Sequence, residues 1–170
     1  MVDLGAGAGR MLTLLGRRAN NALGLDLSQQ MLNIARDEVA KAGLVTCELR
    51  HGDIFRTGLP GGCADLVTVH QVLHYLTDPA NAVAEAARLV TPGGLLLIAD
   101  FAPHDHEFLR EVHQHRRLGF DDVEIVTWLQ ASGLQLESNI ALPPATGEGL
   151  TVKIWTARRP GKAAAERNAA

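Results

Sequence analysis

Long apolar runs, paired cysteines and aromatic side chains are all scarce in this chain. No segment has the length or hydropathy to cross a bilayer, and no charged-then-apolar leader opens the sequence, so the chain is expected in the cytoplasm with no membrane partner. Its two cysteines, Cys47 and Cys63, lack zinc-pair spacing and read as reduced thiols, the better reading for each being a small buried hydrophobe. Aromatics make up only 4% of residues, and the formal net charge is −3 with a pI near 6.1. A basic surface interleaved with stacking aromatics is therefore missing, which argues against nucleic acid as a partner of this chain. There is no Gly-Lys-Ser/Thr of a P-loop and no internal repeat. What remains is an ordinary globular composition, 46% apolar and 21% charged over 170 residues, enough for one domain with a continuous core.

The most informative stretch lies at the start. Val2-Asp3-Leu4-Gly5-Ala6-Gly7-Ala8-Gly9-Arg10 reads as a buried strand running into a glycine loop that opens a helix. Glycine lets a ligand lie against bare backbone, and the helix start offers unpaired N–H groups with a partial positive charge. About 20 residues on, Ala22-Leu23-Gly24-Leu25-Asp26 ends a short apolar run in a carboxylate, where nucleoside-binding α/β folds hold ribose hydroxyls. The spacing is G-x-G-x-G, with Arg10 where a dinucleotide fingerprint wants its third glycine. A nicotinamide dehydrogenase is disfavoured on that ground. A carboxylate at Asp3 suits a ligand with an amino group rather than a pyrophosphate, and S-adenosylmethionine carries an amino acid end, a ribose and an adenine.

Strand and helix patterns alternate, as in βαβ units of a parallel sheet. Met11, Leu12, Leu14 and Leu15 give the first helix an apolar face. Ser28 caps a second helix with Met31, Leu32, Ala35 and Val39 on its inner stripe, closed by Gly43. Short strands follow at Cys47 to Arg50 and Ala64 to Val69. Asp78-Pro79 starts another helix, Thr91-Pro92-Gly93-Gly94 is a turn, and Leu95 to Phe101 reads as a strand buried on both faces. Asp121-x-x-Glu124 starts a helix ending before Gly133. Leu134 to Leu142 and Leu150 to Ala157 read as antiparallel strands, and residues 158–170 as a disordered tail.

These segments resemble, in order, the motifs of class I S-adenosylmethionine-dependent methyltransferases. Val2-Asp3-Leu4-Gly5-x-Gly7-x-Gly9 resembles the glycine motif, and Gly24-Leu25-Asp26-Leu27-Ser28 the acidic second motif. His51-Gly52-Asp53-Ile54 is similar to the segment that meets adenine. Ala64 to His70 resembles the fourth strand, and Leu89 to Leu96 the turn into the fifth. The likeness covers roughly residues 2 to 101. It implies an α/β, Rossmann-like doubly wound fold, mostly parallel with an antiparallel C-terminal hairpin, over residues 1–157. It also implies a cofactor set of Asp3, Gly5, Ala6, Gly7, Gly9, Asp26, Leu27, Met31, Asp53, Ile54 and His70. Residues Asp100 to Arg110 and His113 to Phe120 are similar to methyltransferase domains fused behind ArsR-type regulators. Only Met1 to Leu4 precede the glycine loop, whereas the family carries helices before this strand. The chain is thus expected to be N-terminally truncated, with a shortened first strand and an open cofactor cleft.

Methyl transfer from a sulfonium needs chiefly alignment, with a base where the acceptor must lose a proton. Seven histidines is a high count, and His70, His74, His104 and His106 follow two adjacent strands where open α/β sheets bind ligands. His74, His106 and His113 are the candidate bases. His70-x-x-x-His74 and His104-x-His106 also admit a metal reading, but no nearby cysteine or H-E-x-x-H helix supports it, and no metal is expected. The expected function is methyl transfer to a small-molecule acceptor. The alternative is a non-catalytic cofactor- or metabolite-sensing domain of an ArsR-type transcriptional regulator.

Overall fold

The computed structural model describes residues 1–145 and 149–161. Seven strands form one sheet: β1 (Val2–Leu4), β2 (Ala22–Asp26), β3 (Cys47–His51), β4 (Ala64–His70), β5 (Val90–Phe101), β6 (Gln135–Leu142) and β7 (Val152–Arg158). Their order across the sheet is β3-β2-β1-β4-β5-β7-β6. Pairings from β3 through β5 are parallel, and β7 runs antiparallel to both β5 and β6. This is the doubly wound, mostly parallel sheet with an antiparallel C-terminal hairpin that the sequence predicts. Among the described residues no helix is long and apolar enough to cross a membrane.

The chain steps outward from β1 to β3, then returns to lay β4 on the other side of β1. Reversal of strand order opens a crevice at the carboxyl ends of β1 and β4, because the following loops diverge to opposite faces. β1 is only three residues long, yet it pairs on both sides, Leu4 opposite Leu25 and Val69.

Local chemistry fixes the helices that flank this crevice. Helix α1 spans Arg10–Leu15 and α2 spans Gln29–Lys41. The Ser28 hydroxyl caps α2 by accepting the Met31 N–H at 3.3 Å, and Leu32, Ala35 and Val39 bury its inner stripe. Helix α3 (Pro79–Leu89) begins on Asp78, whose carboxylate accepts the Asn81 N–H at 3.1 Å. Its alanines at 82, 86 and 87 are buried and let it approach the sheet closely. After a short helix α4 (Phe108–Val112), Asp121 caps α5 (Asp122–Ala131), accepting the Glu124 N–H at 2.7 Å. Trp155, the largest fully buried side chain, ties β7 to α5 by donating Nε1–H to Asp122 Oδ1 at 2.8 Å. Lys153 also bonds that carboxylate, holding Asp122 below the usual carboxylate range.

Several expectations need correction. Leu14 is 62% exposed, because α1 is one six-residue piece that presents only Met11 and Leu12 inward. Thr91–Gly94 does not precede β5 but loops out within it, between the Ala64–Val90 and Leu66–Leu95 pairings. Leu95 and Leu97 stay half-buried, so β5 is not covered on both faces along its length, and Asp100 interrupts its buried apolar run. Cys47 is half-buried and Cys63 exposed, both free thiols, so neither is a core residue. The tail does not begin at 158. Arg158 ends β7 and bonds Glu137 and the Gly93 carbonyl, while Arg159 reaches the Ala87 carbonyl. The rest of the expected tail, residues 162–170, lies outside the described residues.

Gly119 is a tight point between the end of β5 and the approach to α5. Its φ is +87°, and a Cβ there would sit 2.1 Å from the Ala102 carbonyl oxygen. Backbone cannot yield as a side chain does, so Gly119→Ala is expected to cost about 2–4 kcal/mol from strain and overpacking together. Urea denaturation of the variant checks this, and a loss below about 0.5 kcal/mol refutes it.

Candidate functional site

A cavity of about 390 Å³ lies in the crevice at the carboxyl ends of β1, β2 and β4, within the size range of small-molecule sites. The glycine loop forms its floor. Gly5 N–H and Ala6 N–H both donate to the Leu25 carbonyl, at 2.8 and 3.0 Å, pinning the loop to the end of β2. Asp26 extends that clamp: Oδ2 accepts Gly7 N–H at 2.8 Å and Oδ1 accepts Ser28 N–H at 2.7 Å. A carboxylate oxygen has two lone pairs, so each keeps one for a further donor. Gly7 has φ +51°, and a Cβ there would meet only the Met31 methyl at 3.7 Å. The demand for glycine at this position is therefore conformational and leaves the loop bare toward the cavity.

Nine residues predicted from sequence do line the cavity: Asp3, Gly5, Ala6, Gly7, Asp26, Leu27, Met31, Ile54 and His70. Gly9 does not. A Cβ at Gly9 would lie 3.3 Å from the Ala35 Cβ, so this glycine permits the close approach of α1 to α2. Asp53 is also absent from the wall, and its carboxylate accepts the Phe55 N–H at 2.9 Å within a local turn. Its neighbours Gly52 and Ile54 reach the cavity instead. Sequence reasoning missed Arg10, Gln71, Val72, Tyr75 and Leu76, which line the wall together with Ala8, Met11 and Leu25. The available signal was their position just past the glycine loop and just past β4, where the crevice opens.

Asp3 is the dominant electrostatic feature. It is 1% exposed and accepts the Thr68 hydroxyl at 2.6 Å. Burial pushes its carboxyl up to about 7; the Thr68 hydrogen bond opposes this, and the Asp26 charge adds to it. The cavity therefore carries a negative group held in a costly state, poised to ionise fully beside a cation.

Among the histidines, the one on the cavity wall is His70, half-buried at the end of β4. Burial holds it below the usual imidazole range, the Asp100 carboxylate pulls it upward and Arg10 pushes it down. None of the predicted bases His74, His106 and His113 lines the cavity. His74 sits on a 3₁₀ turn (Leu73–Tyr75) that aims its ring at β5, where it is 2% exposed. Its Nδ1 pairs with Asp100 Oδ1 at 2.8 Å, and its ring lies 4.1 Å from Tyr75, 4.3 Å from His115 and 4.9 Å from Phe101. His106 accompanies His104 at 5.5 Å, and His113 is exposed at the end of α4. Among the described residues no group of three or more His, Cys, Asp or Glu side chains is arranged to hold a metal ion.

The Asp3 shift sets a stability dependence. The proton is bound more tightly in the folded chain than in the unfolded one, so this group's contribution is fully present below about pH 3.8 and is lost as pH rises to about 7. Asp3→Asn keeps an acceptor for Thr68 without the charge. The ligand-free variant is expected to gain stability over the parent at pH 8 and to match it near pH 4, the gain at pH 8 reaching a few kcal/mol, about 4 at most. Denaturant melts at both pH values test this, and equal differences at the two values refute it.

Comparison with known proteins agrees with this geometry. Residues 2–98 match the methyltransferase domain family. An uncharacterised 37.1 kDa protein in a transposon of Streptomyces fradiae is 36% identical over 102 residues, covering 58% of this chain and 29% of that protein. A ubiquinone biosynthesis O-methyltransferase of Methylococcus capsulatus is 32% identical over 98 residues, covering 58% of this chain and 41% of that enzyme. The chain thus spans well under half the length of these two relatives. A solved S-adenosylmethionine-dependent methyltransferase of Mesorhizobium loti superposes with a TM-score of 0.77 at 21% identity, covering 93% of this chain and 89% of that one. At that identity the likeness speaks for the fold. The motif order, the crevice and the matched family model together place this chain in the class I S-adenosylmethionine-dependent methyltransferase domain family.

Proposed function

We propose that this chain transfers a methyl group from S-adenosylmethionine to a small-molecule acceptor. The observation that carries the reading is the pairing, inside one cavity, of a buried Asp3 with an Asp26 that keeps free lone pairs beside a bare glycine loop. The residues present fit the cofactor group by group. Asp3 suits the ammonium, since a cation repays the cost of ionising a buried carboxyl. Arg10, at the other side of the loop, suits the carboxylate. Asp26 has the lone pairs for ribose hydroxyls, and Leu27, Met31 and Ile54 supply the apolar wall an adenine ring needs. Asp53, engaged in its own turn, contributes through the position of Ile54.

When bound, the cofactor supplies an electrophilic methyl carbon on a sulfonium. The chain's own task is to orient that carbon toward the far wall of the cavity and to exclude water, and orientation alone accounts for much of such a rate. A small acceptor is favoured by a net charge of −3, which repels polyanions. The ubiquinone-pathway relative, whose name states an O-methyl transfer, points the same way.

Titration calorimetry with S-adenosylhomocysteine, the demethylated product, tests the reading. The protein is expected to bind it with an affinity that falls as pH drops below about 7, because the ammonium needs ionised Asp3. Asp26→Ala is expected to weaken binding on the order of 10- to 100-fold, the equivalent of losing hydrogen bonds to a charged group. A flat titration at pH 8 defeats the proposal.

A further inference from the structure

Once the adenosyl residues are set aside, the cavity retains a second wall built by His70, Gln71, Val72, Tyr75 and Leu76. It combines two aliphatic side chains, one phenol ring, one amide and one imidazole. The neighbouring strand carries an unusual carboxylate. His70 of β4 is registered opposite Ala99 of β5, so Asp100, one residue further along, presents its side chain to the other face of the sheet. Asp100 is fully buried. Its Oδ1 takes both His74 Nδ1 and the Phe101 N–H, each at 2.8 Å, whereas Oδ2 is buried with no partner. An orphan carboxylate oxygen inside a protein is costly and persists where its charge has use. Gln71, directly after His70, is one of only two non-glycine residues among those described with a positive φ, +53°, and its N–H is tied to the Ala99 carbonyl at 2.7 Å. Strain of this kind gathers where a side chain must be held in one direction.

We propose that His70 is the catalytic base of this site, and that the acceptor is a flat protic nucleophile such as a phenol or enol lying against Tyr75. The inference rests on the methyl-transfer reading. In the step, neutral His70 takes the proton of the acceptor hydroxyl. The oxygen lone pair forms the new O–CH₃ bond, and the C–S bond pair stays on sulfur, leaving a neutral thioether. His70 then returns its proton to water. The buried Asp100 charge stabilises the imidazolium that forms, against the opposing charge of Arg10. His74, assigned by sequence to the base, instead holds Asp100 in place from the core side.

Two probe acceptors separate base catalysis from general disruption: catechol, which is protonated near neutral pH, and benzenethiol, which is largely ionised at pH 8 and needs no base. Formation of S-adenosylhomocysteine is measured for the parent, His70→Gln and Asp100→Asn. Base removal typically costs 10²- to 10⁴-fold. His70→Gln is expected to lose about that factor with catechol and at least about tenfold less with benzenethiol, the ratio of the two losses being the readout, because a loss through cofactor binding would be shared by both probes. Imidazole added to His70→Ala is expected to restore catechol turnover, which covers the case in which the Gln variant folds poorly. In Asp100→Asn the acidic limb of the catechol pH–rate profile is expected to move to lower pH, because the charge that raises His70 is gone. Equal losses with both probes, or an unchanged catechol rate in His70→Gln, overturn the proposal. A parent that binds S-adenosylhomocysteine but methylates neither probe overturns it as well, whereas absence of that binding defeats the broader reading.

Discussion

The two hydrogen bonds accepted by the Asp26 carboxylate are the contact on which the site depends. One reaches back to Gly7 in the first loop, the other forward to Ser28 at the start of α2. Segments nineteen residues apart are thereby set in one frame, and the frame holds only if β1 and β2 pair in their observed register. A one-residue slip of β2 would turn Asp26 to the opposite face of the sheet. Burial of Leu4 and Leu25 opposite one another guards against that slip, so packing in the strand pair and ligand geometry in the loop are one constraint seen at two levels.

A second carboxylate sits close enough for its charge to be felt. Asp3 and Asp26 repel, and Asp3 lies deeper, so it bears the burial cost while Asp26 remains solvated by backbone N–H groups. The arrangement separates two roles that a pair of like residues could otherwise confuse. One acid, bonded to Thr68, holds its proton up to about pH 7 while no cation is beside it. The other is a permanent acceptor. Glu85, by contrast, receives Arg88 and Thr57 and is held down to about 2, as expected for a carboxylate whose partners are built in.

Much of this could be read from sequence because it is local. Ser28, Asp78 and Asp121 cap the helices they precede, and a cap is decided by the three residues that follow it. The glycine loop and Asp26 were legible because their spacing reflects a strand, a turn and a helix in succession. The histidines were not. His70 and His74 are both at the end of β4, and which one faces the cavity depends on the phase of a 3₁₀ turn that nothing in Leu73-His74-Tyr75 announces. Gly9 and Asp53 lie off the cavity wall for a related reason. Each satisfies the motif spacing, and its nearest neighbours, Ala35 in one case and Phe55 in the other, give it a structural task. Asp100 escaped notice because a single acid at the end of an apolar strand reads as its boundary, whereas the pairing with His74 spans 26 residues.

The order of strands has a consequence for biosynthesis. β7, the last of the described strands in chain order, does not join the sheet at its margin but slots between β5 and β6. Until residues 152–158 emerge, β5 keeps one unpaired edge, and Trp155, the keystone beneath α5, is not yet available. The nascent chain must therefore hold β6 aside, tethered through α5, and admit β7 into the gap. Insertion of this kind makes completion of the β5 edge depend on the β6–β7 hairpin rather than proceeding strand by strand.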